Sequence, residues 1–368
     1  MGGGAARGVW LHATEPALAK PLRVLAAQLA ELPNPPLTRV TGDAAAPGPG
    51  DDPRAIDAAL DGFPTRLLVL AGATLPAPLL DRARARGIPL MLVDAAAPAP
   101  SRGWHLFRGA ARGQLARFQA IHARDAAAAA AITRAVKGQV PVQATGLLAR
   151  HAPARGCNLQ ELDALREAVG ARPVWLAHDL PEAEVDAVFL AHSHALRRAH
   201  RLLLIVEPHD LAQGAAIAAR AGEVGFGVAR RSADEEIVET TQVYVADAGD
   251  DSGLFLRLAP VTFLGGSLTR EAGTPSPVVP AALGSALVFG PMAVDGERAF
   301  LDQLRVQGGG RQIVAAADLG PAVSALLSPE AGAEAALKAW TLATDGSDAT
   351  LAVAAAIGDW LAMNGDGA

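Results

Sequence analysis

The chain has 368 residues, 51% of them hydrophobic and 19% charged, with 38 glycines and 26 prolines that follow no period. That composition excludes a disordered or collagen-like chain, and the length allows about two domains, each with its own core. Lys and Arg number 32 against 38 Asp and Glu, a formal charge of −6, which excludes a nucleic-acid binder dominated by phosphate contacts while leaving room for a local basic patch. The single cysteine, Cys157, has no internal disulfide partner, which fits a reducing compartment and excludes Cys-rich metal sites. Nothing in the opening residues reads as an export signal, and no stretch reaches the roughly 18 apolar residues of a membrane span. The expectation is an intracellular protein whose membrane contact, if any, is peripheral.

Short runs of Val, Leu and Ile alternate with longer segments of helical period, the pattern of βαβ units around parallel sheets. Strands are expected at 9–12, 37–40, 67–71, 88–93 and 140–145. Between the first two, residues 15–32 place Leu18, Leu22, Leu25, Leu29 and Leu32 on one helical face that packs on a sheet. The Gly/Pro-rich stretches 44–53 and 95–103 read as surface loops. A polar segment, 151–158, carries Pro153 and Gly156 and leads into a helix at 159–169, and the domain boundary is placed near residue 170. The second half repeats the alternation with strands at 174–177, 202–206, 224–228, 243–245, 261–264, 286–289 and 312–314. A helical tail from 330 to 363 is free to pack on either domain. Fold class is therefore α/β, with domains at 1–170 and 171–345, a tail at 346–368 and no internal repeat. Ligands of such sheets bind outside the carboxyl ends of the strands.

The strongest local feature is Phe263-Leu264-Gly265-Gly266-Ser267-Leu268, a strand running into a Gly-Gly-Ser turn. Consecutive glycines let backbone N–H groups approach an anion and Ser267 adds a hydroxyl; a plain strand-ending turn reads equally well. Gly222, Gly225 and Gly227 lie between a helix and the strand after it, the wrong polarity for a dinucleotide loop, and read as a helix stop. His192, His194 and His200 share one helix, but their spacing does not converge on a metal. Arg197, Arg198, His200 and Arg201 form a small basic cluster that reads as a solvated helix end, with anionic lipid as the alternative. Ser101 and Ser193 lack the context of a nucleophile elbow.

Val243-Tyr244-Val245-Ala246-Asp247, then 254–268, Pro280-Ala281-Ala282-Leu283-Gly284 and Gly290-Pro291 resemble the C-terminal domain of the Kdo transferases, the 3-deoxy-D-manno-octulosonic acid transferases of lipid A assembly. Arg172–Ala177 with Glu182 and Glu184, Leu202–Val206 with His209, Gly87–Val93 and Trp10-Leu11-His12-Ala13 continue the resemblance in order along the chain. It implies a GT-B fold of two Rossmann-like αβα domains facing across a cleft, the first on the acceptor side and the second binding the sugar nucleotide. It also implies CMP-Kdo as donor, a lipid A precursor as acceptor, action at the cytoplasmic face of the inner membrane, and neither a metal nor another cofactor. The family's base is a Glu shortly after the first strand; anchoring on Pro21-Leu22 places it at Glu15. A carboxylate there is suited to take a proton from a sugar hydroxyl. It reads equally as a complement to the helix dipole behind a Thr14 N-cap. On the donor side the resemblance assigns His209, Asp247, Gly265, Gly266, Ser267 and Ser276, with Asp251 in place of a Glu. Simple caps are the alternative for Asp247, on the helix near Ser252, and for His209.

Several family motifs are altered. The acceptor-side carboxylates are lost at 71–76, and an Arg is lost at 94–98. A donor-side cation is replaced by Pro208, the Ser-Thr-His segment reads Asp179-Leu180-Pro181, and Val279 stands where a ribose-binding Glu is expected. Charged hydrogen bonds are worth about 1.5–3 kcal/mol each, so these losses call for compensation elsewhere. Three readings stay open: the Kdo transferase, a paralogue that binds without transferring, and a transferase using a less charged donor.

Overall fold

The computed structural model describes residues 8–97, 113–151, 156–249, 251–269, 273–293 and 298–364. Residues 1–7, Ser101, Pro153 and the loop expected at 95–103 beyond residue 97 lie outside them. The chain forms two compact units, Met1–Ala152 with Asp345–Ala368, and Pro153–Thr344.

In the first unit, β1 (Gly8–Ala13), β2 (Leu37–Thr41), β3 (Thr65–Ala71), β4 (Leu90–Ala95), β5 (Ala120–Ala123) and β6 (Val142–Ala144) form one sheet in the order β2-β1-β3-β4-β5-β6, every pair parallel. Alternation along the strands divides the core. Trp10, Leu68, Leu70, Leu90 and Leu92 pack under the helices Pro53–Asp61, Ala77–Ala85 and Ala126–Val136. Val9, Leu11, Leu67, Val69 and Val93 face Leu22, Leu25 and Leu29 of the helix Ala19–Ala30. The leucine stripe expected at 15–32 is thus core. Strand β5 was not foreseen: its four residues, Ala-Ile-His-Ala, give a single β-branched residue ahead of an alanine-rich helix, too little for a periodicity signal.

In the second unit, β7 (Val174–Leu180), β8 (Leu203–Pro208), β9 (Val228–Arg230), β10 (Val243–Val245), β11 (Val261–Leu264), β12 (Ala286–Phe289) and β13 (Gly310–Gln312) form a parallel sheet ordered β13-β12-β11-β7-β8-β10-β9. Trp175, Ala177, Leu204, Val206, Val261 and Phe263 face the helices Val185–Leu196, Gly214–Val224 and Leu319–Leu326. Val174, Leu176, Ile205 and Leu287, Phe289 face helices on the opposite side. Each unit is therefore a Rossmann-like αβα layer structure, the α/β class expected. Gly225 takes φ +98° and stops the helix before β9, as its position predicts.

The units divide earlier than residue 170. Helix Leu159–Val169 buries Leu162 and Val169 against Val174, Leu176 and Phe255, and so belongs to the second unit. The tail is two helices with different allegiances. Pro329–Thr344 packs Ala339 and Ala343 in the second unit, whereas Ser347–Met363 buries Val353, Ala354 and Ile357 in the first. There Thr350 Oγ1 accepts a hydrogen bond from the Ala149 amide at 2.8 Å. Among the described residues, no helix is long and apolar enough to cross a membrane.

His192, fully buried, makes an acid sensitivity expected. Its Nδ1 accepts from Trp175 Nε1 at 3.1 Å, and because an indole only donates, the ring is held neutral. Burial pushes its pKa down to about 3. The unfolded chain thus takes up a proton near pH 6.5 that the folded one refuses. This penalty is absent above pH 6.5 and grows by up to about 1.4 kcal/mol for each pH unit below it, until the folded ring itself protonates near pH 3. Melting curves between pH 7 and 4.5 are expected to shift down with acid, and His192→Gln to flatten that slope.

Candidate active site

In the first unit the chain leaves β1 for β2 on one side and later returns to β3 on the other, which makes the β1/β3 boundary the topological switch point, where ligands of open α/β sheets bind. Two loops meet there. The Thr14 amide and hydroxyl both donate to the Ala71 carbonyl, at 2.9 and 3.1 Å. Gly72 makes this approach possible, since it adopts φ +129° and a Cβ on it would overlap Thr14 Oγ1. Glu15 follows in extended conformation ahead of a short 3-10 turn, Pro16–Leu18, and caps nothing with its side chain. Instead its Oε1 accepts a hydrogen bond from the Ala73 amide at 3.0 Å. The N-cap reading of Thr14 is thereby corrected, because its hydroxyl is spent across the switch point. Glu15 is exposed, and its Oε2 makes no hydrogen bond among the described residues. Its neighbours Thr14 and Pro16 line a cavity of about 460 Å³.

Asp94, in the altered motif at the end of β4, is buried at φ +49° and pairs with Arg124 at 3.1 Å. Burial nonetheless holds its carboxyl above the usual range. Arg124, at the end of β5, thus stands beside the motif whose arginine is missing. Sequence reasoning passed over it along with the strand that carries it.

The second unit has its switch point between β7 and β11, where the Gly265-Gly266-Ser267 turn emerges. Both glycines and Ser267 are buried. The Gly265 amide donates to the His178 carbonyl at 2.8 Å, and a Cβ at Gly265 would overlap the Asp179 carbonyl. Ser267 Oγ donates to the Leu264 carbonyl at 2.5 Å and accepts from the Gly290 amide at 2.8 Å. The amides of Gly266, Leu268 and Thr269 converge on one carboxylate, Glu184, at 2.9, 2.8 and 2.7 Å, and the Thr269 hydroxyl joins them at 3.1 Å. Glu184 is 1% exposed. Burial raises its pKa against the opposing pull of those donors. The turn does cradle an anion, and that anion is the protein's own side chain. Each unit therefore ties its switch point with a glutamate from the first loop on amides of the second, Glu15 in one and Glu184 in the other.

The remaining donor-side residues fall in two groups. Asp247 is buried against the start of the helix Gly214–Val224, where a Cβ on Gly214 would overlap it. It pairs with Arg230 Nε at 2.6 Å and accepts from the Ser232 amide and hydroxyl at 2.9 and 2.8 Å. Burial works against its charge, but Arg230 and Ser232 outweigh that and hold its pKa below the usual carboxylate range. It does not cap the helix at Ser252, contrary to that alternative. Asp251 instead pairs with Arg231 at 2.7 Å, and Arg231 also meets Glu161. His209 Nδ1 lies 2.9 Å from Asp179 Oδ1, so the ring is held by a carboxylate on the neighbouring strand. The same two strand ends hold a second such pair: His178 Nδ1 is 2.5 Å from Glu207 Oε2, and Ser252 Oγ donates to Glu207 Oε1. His178 was not singled out from the sequence; its only signal there was its place at the end of a strand. Ser276 is exposed, its Oγ accepting from the Val278 amide at 3.4 Å, apart from these contacts. Among the described residues, no group of three or more His, Cys, Asp or Glu is placed to hold a metal ion.

Residues 28–148 match the family model described as 3-deoxy-D-manno-octulosonic-acid transferase (kdotransferase). The 3-deoxy-D-manno-octulosonic acid transferase of Haemophilus influenzae is 27% identical over 151 residues, 41% of this chain and 35% of that protein. The chain thus spans about a third of the length of the curated relative it matches. Among solved structures, the C-terminal CMP-Kdo binding domain of WaaA from Acinetobacter baumannii is 22% identical, covering 50% of this chain and 96% of that one, with a TM-score of 0.46. MurG from the same organism is 13% identical over 96% of this chain and 99% of its own, also with a TM-score of 0.46. The chain is accordingly similar to the Kdo transferases, and the matched stretch runs from within the helix Ala19–Ala30 to Leu148 in the first unit.

Proposed function

We propose that the chain is an inverting glycosyltransferase that moves Kdo from CMP-Kdo to a hydroxyl of a lipid A precursor, with Glu15 as the base. The observation that carries this is the tether of Glu15 across the first switch point. One oxygen is fixed by the Ala73 amide while Oε2 is left for a ligand. As the acceptor oxygen attacks the anomeric carbon, its proton passes to Glu15 Oε2. The new C–O bond forms as the bond to the CMP phosphate breaks, and CMP leaves with that electron pair. On the donor side, His209 and His178, each held through Nδ1 by a carboxylate, Asp179 and Glu207, stand at the strand ends where a cation is lost at Pro208. Gly265, Gly266 and Ser267 shape the strand end beside them, Asp247 holds Arg230, and Ser276 stands exposed ahead of the helix Val278–Ala282. A lipid acceptor places the protein peripherally at the cytoplasmic face of the inner membrane.

One observation favours a second reading, a protein that binds without transferring: the amides of the Gly-Gly-Ser turn are already taken by Glu184. Calorimetric titration of the full chain with CMP and with CMP-Kdo, followed by an assay of transfer to a lipid A precursor, separates the two. Saturable binding of both, tighter for CMP-Kdo, is expected. Absence of heat with either nucleotide would remove the transferase reading.

A further inference from the structure

We propose that the cavity at the amino ends of β7 and β11 binds a phosphate group, at the end of the second sheet opposite the Gly-Gly-Ser turn. The site is separate from the transferase chemistry and stands or falls without it. The cavity measures about 280 Å³, just below the roughly 300–1,000 Å³ of drug-sized sites, which suits a group of phosphate size rather than a whole nucleotide. Arg166, Arg172 and Arg257 line it, with Val169, Pro173 and Leu258 among the apolar walls. Among the described residues, no carboxylate belongs to that lining.

The three arginines are held in different ways. Arg172 is buried, and its Nε, Nη1 and Nη2 donate to the carbonyls of Arg201, Val238 and Thr241. Those carbonyls fix the guanidinium without neutralising it. Burial, and then the Arg201 guanidinium, disfavour its charge and lower its pKa from the usual arginine value, with Glu239 opposing them. Arg257, half-buried at the end of the helix Ser252–Leu258, donates to the Gly253 carbonyl at 2.7 Å. Arg166, in the last turn of the helix Leu159–Val169, is more than half exposed and meets Asp163, itself exposed, at 3.4 Å. An exposed pair of that kind is weak, so a phosphate competes for the guanidinium.

Amides already meet carbonyls at both helix ends, Gly170 on Arg166 at 2.8 Å and Ala259 on Phe255 at 3.1 Å. The basic cluster at 197–201 continues this face: Arg201 joins it through the Arg172 hydrogen bond and pairs with Glu239 at 3.5 Å. Three positive charges around a cavity with apolar walls favour a multiply charged anion over a single carboxylate, and the guanidinium fork matches phosphate oxygens.

The test follows the Arg166 and Arg257 Nε–Hε resonances of the full chain, assigned by loss in Arg166→Gln and Arg257→Gln, while inorganic phosphate is added at constant ionic strength. Saturable movement of both is expected, with acetate binding about tenfold more weakly. Each variant is expected to weaken phosphate binding, read on the arginine that remains, by about tenfold, the worth of one charge-assisted hydrogen bond. Should Arg257→Gln unfold, the exposed Arg166→Gln, read on Arg257, decides. Flotation with phosphatidylcholine vesicles, with and without phosphatidic acid, tells where the phosphate comes from. Capture that needs phosphatidic acid and is lost in the variants assigns the site to a lipid headgroup; movement with inorganic phosphate and no capture assigns it to a free phosphate. Neither movement nor arginine-dependent capture, equal binding of acetate, or binding undiminished in Arg166→Gln would overturn the proposal.

Discussion

Replacing Glu15 by glutamine is expected to lower kcat for sugar transfer by about 10²–10⁴-fold, the usual contribution of a positioned general base, while KM for both substrates stays within a small factor of wild type. Glutamine isolates the chemistry because its carboxamide oxygen can still accept the Ala73 amide, so the loop after β3 keeps its tether. Proton acceptance is what disappears. At 1.36 kcal/mol for each tenfold, the loss corresponds to about 3–5 kcal/mol of barrier. Steady-state kinetics, with a melting curve to show that the fold is intact, decide the matter. Glu15→Ala removes the tether as well and is expected to raise KM for the acceptor in addition.

Glu184→Ala has the largest expected effect on stability. The carboxylate accepts from three backbone amides and one hydroxyl inside the protein. Its removal strands those donors where water does not readily reach them, at a cost of about 3 kcal/mol or more. For a unit of this size, the melting transition is expected to drop by about 10 °C. Glu184→Gln is expected to recover part of that, since its amide oxygen can accept while its NH₂ faces donors. The same loss frees the turn amides for an outside anion, so inorganic phosphate is expected to stabilise Glu184→Ala more than wild type. A melting temperature unchanged by Glu184→Ala would mean the carboxylate holds nothing together.

The two lesions separate what sequence could and could not disclose. The buried strands were legible because Leu-Leu-Val-Leu and Val-Thr-Phe-Leu leave no other economical way to bury their side chains; β10, β11 and β12 fall on the expected residues. Strand β5 was illegible for the converse reason, and the early domain boundary reflects which neighbours Leu162 found. Glu15 could be singled out because the resemblance, anchored on Pro21-Leu22, places the family's base there. Its partner Ala73, 58 residues away, could not. Glu184 was visible as part of a resemblance, but a carboxylate reaching amides more than 80 residues on is a tertiary fact. The Gly-Gly-Ser turn reads equally as an anion cradle and as a plain strand-ending turn; nothing in its own residues tells that amides in and after it are taken by a carboxylate of the chain. The paired imidazoles at the ends of β7 and β8 illustrate the same limit. His178 and Glu207 are 29 residues apart and meet only because their strands are neighbours.

The most direct measurement is the CMP released when the full chain is mixed with CMP-Kdo and a lipid A precursor, followed beside the glycosylated product. Equimolar CMP and product from wild type, with both released at least about a hundredfold more slowly from Glu15→Gln, is the predicted result. Wild-type protein that binds the donor yet forms no product, or a Glu15→Gln variant that forms it at the wild-type rate, would contradict the assignment.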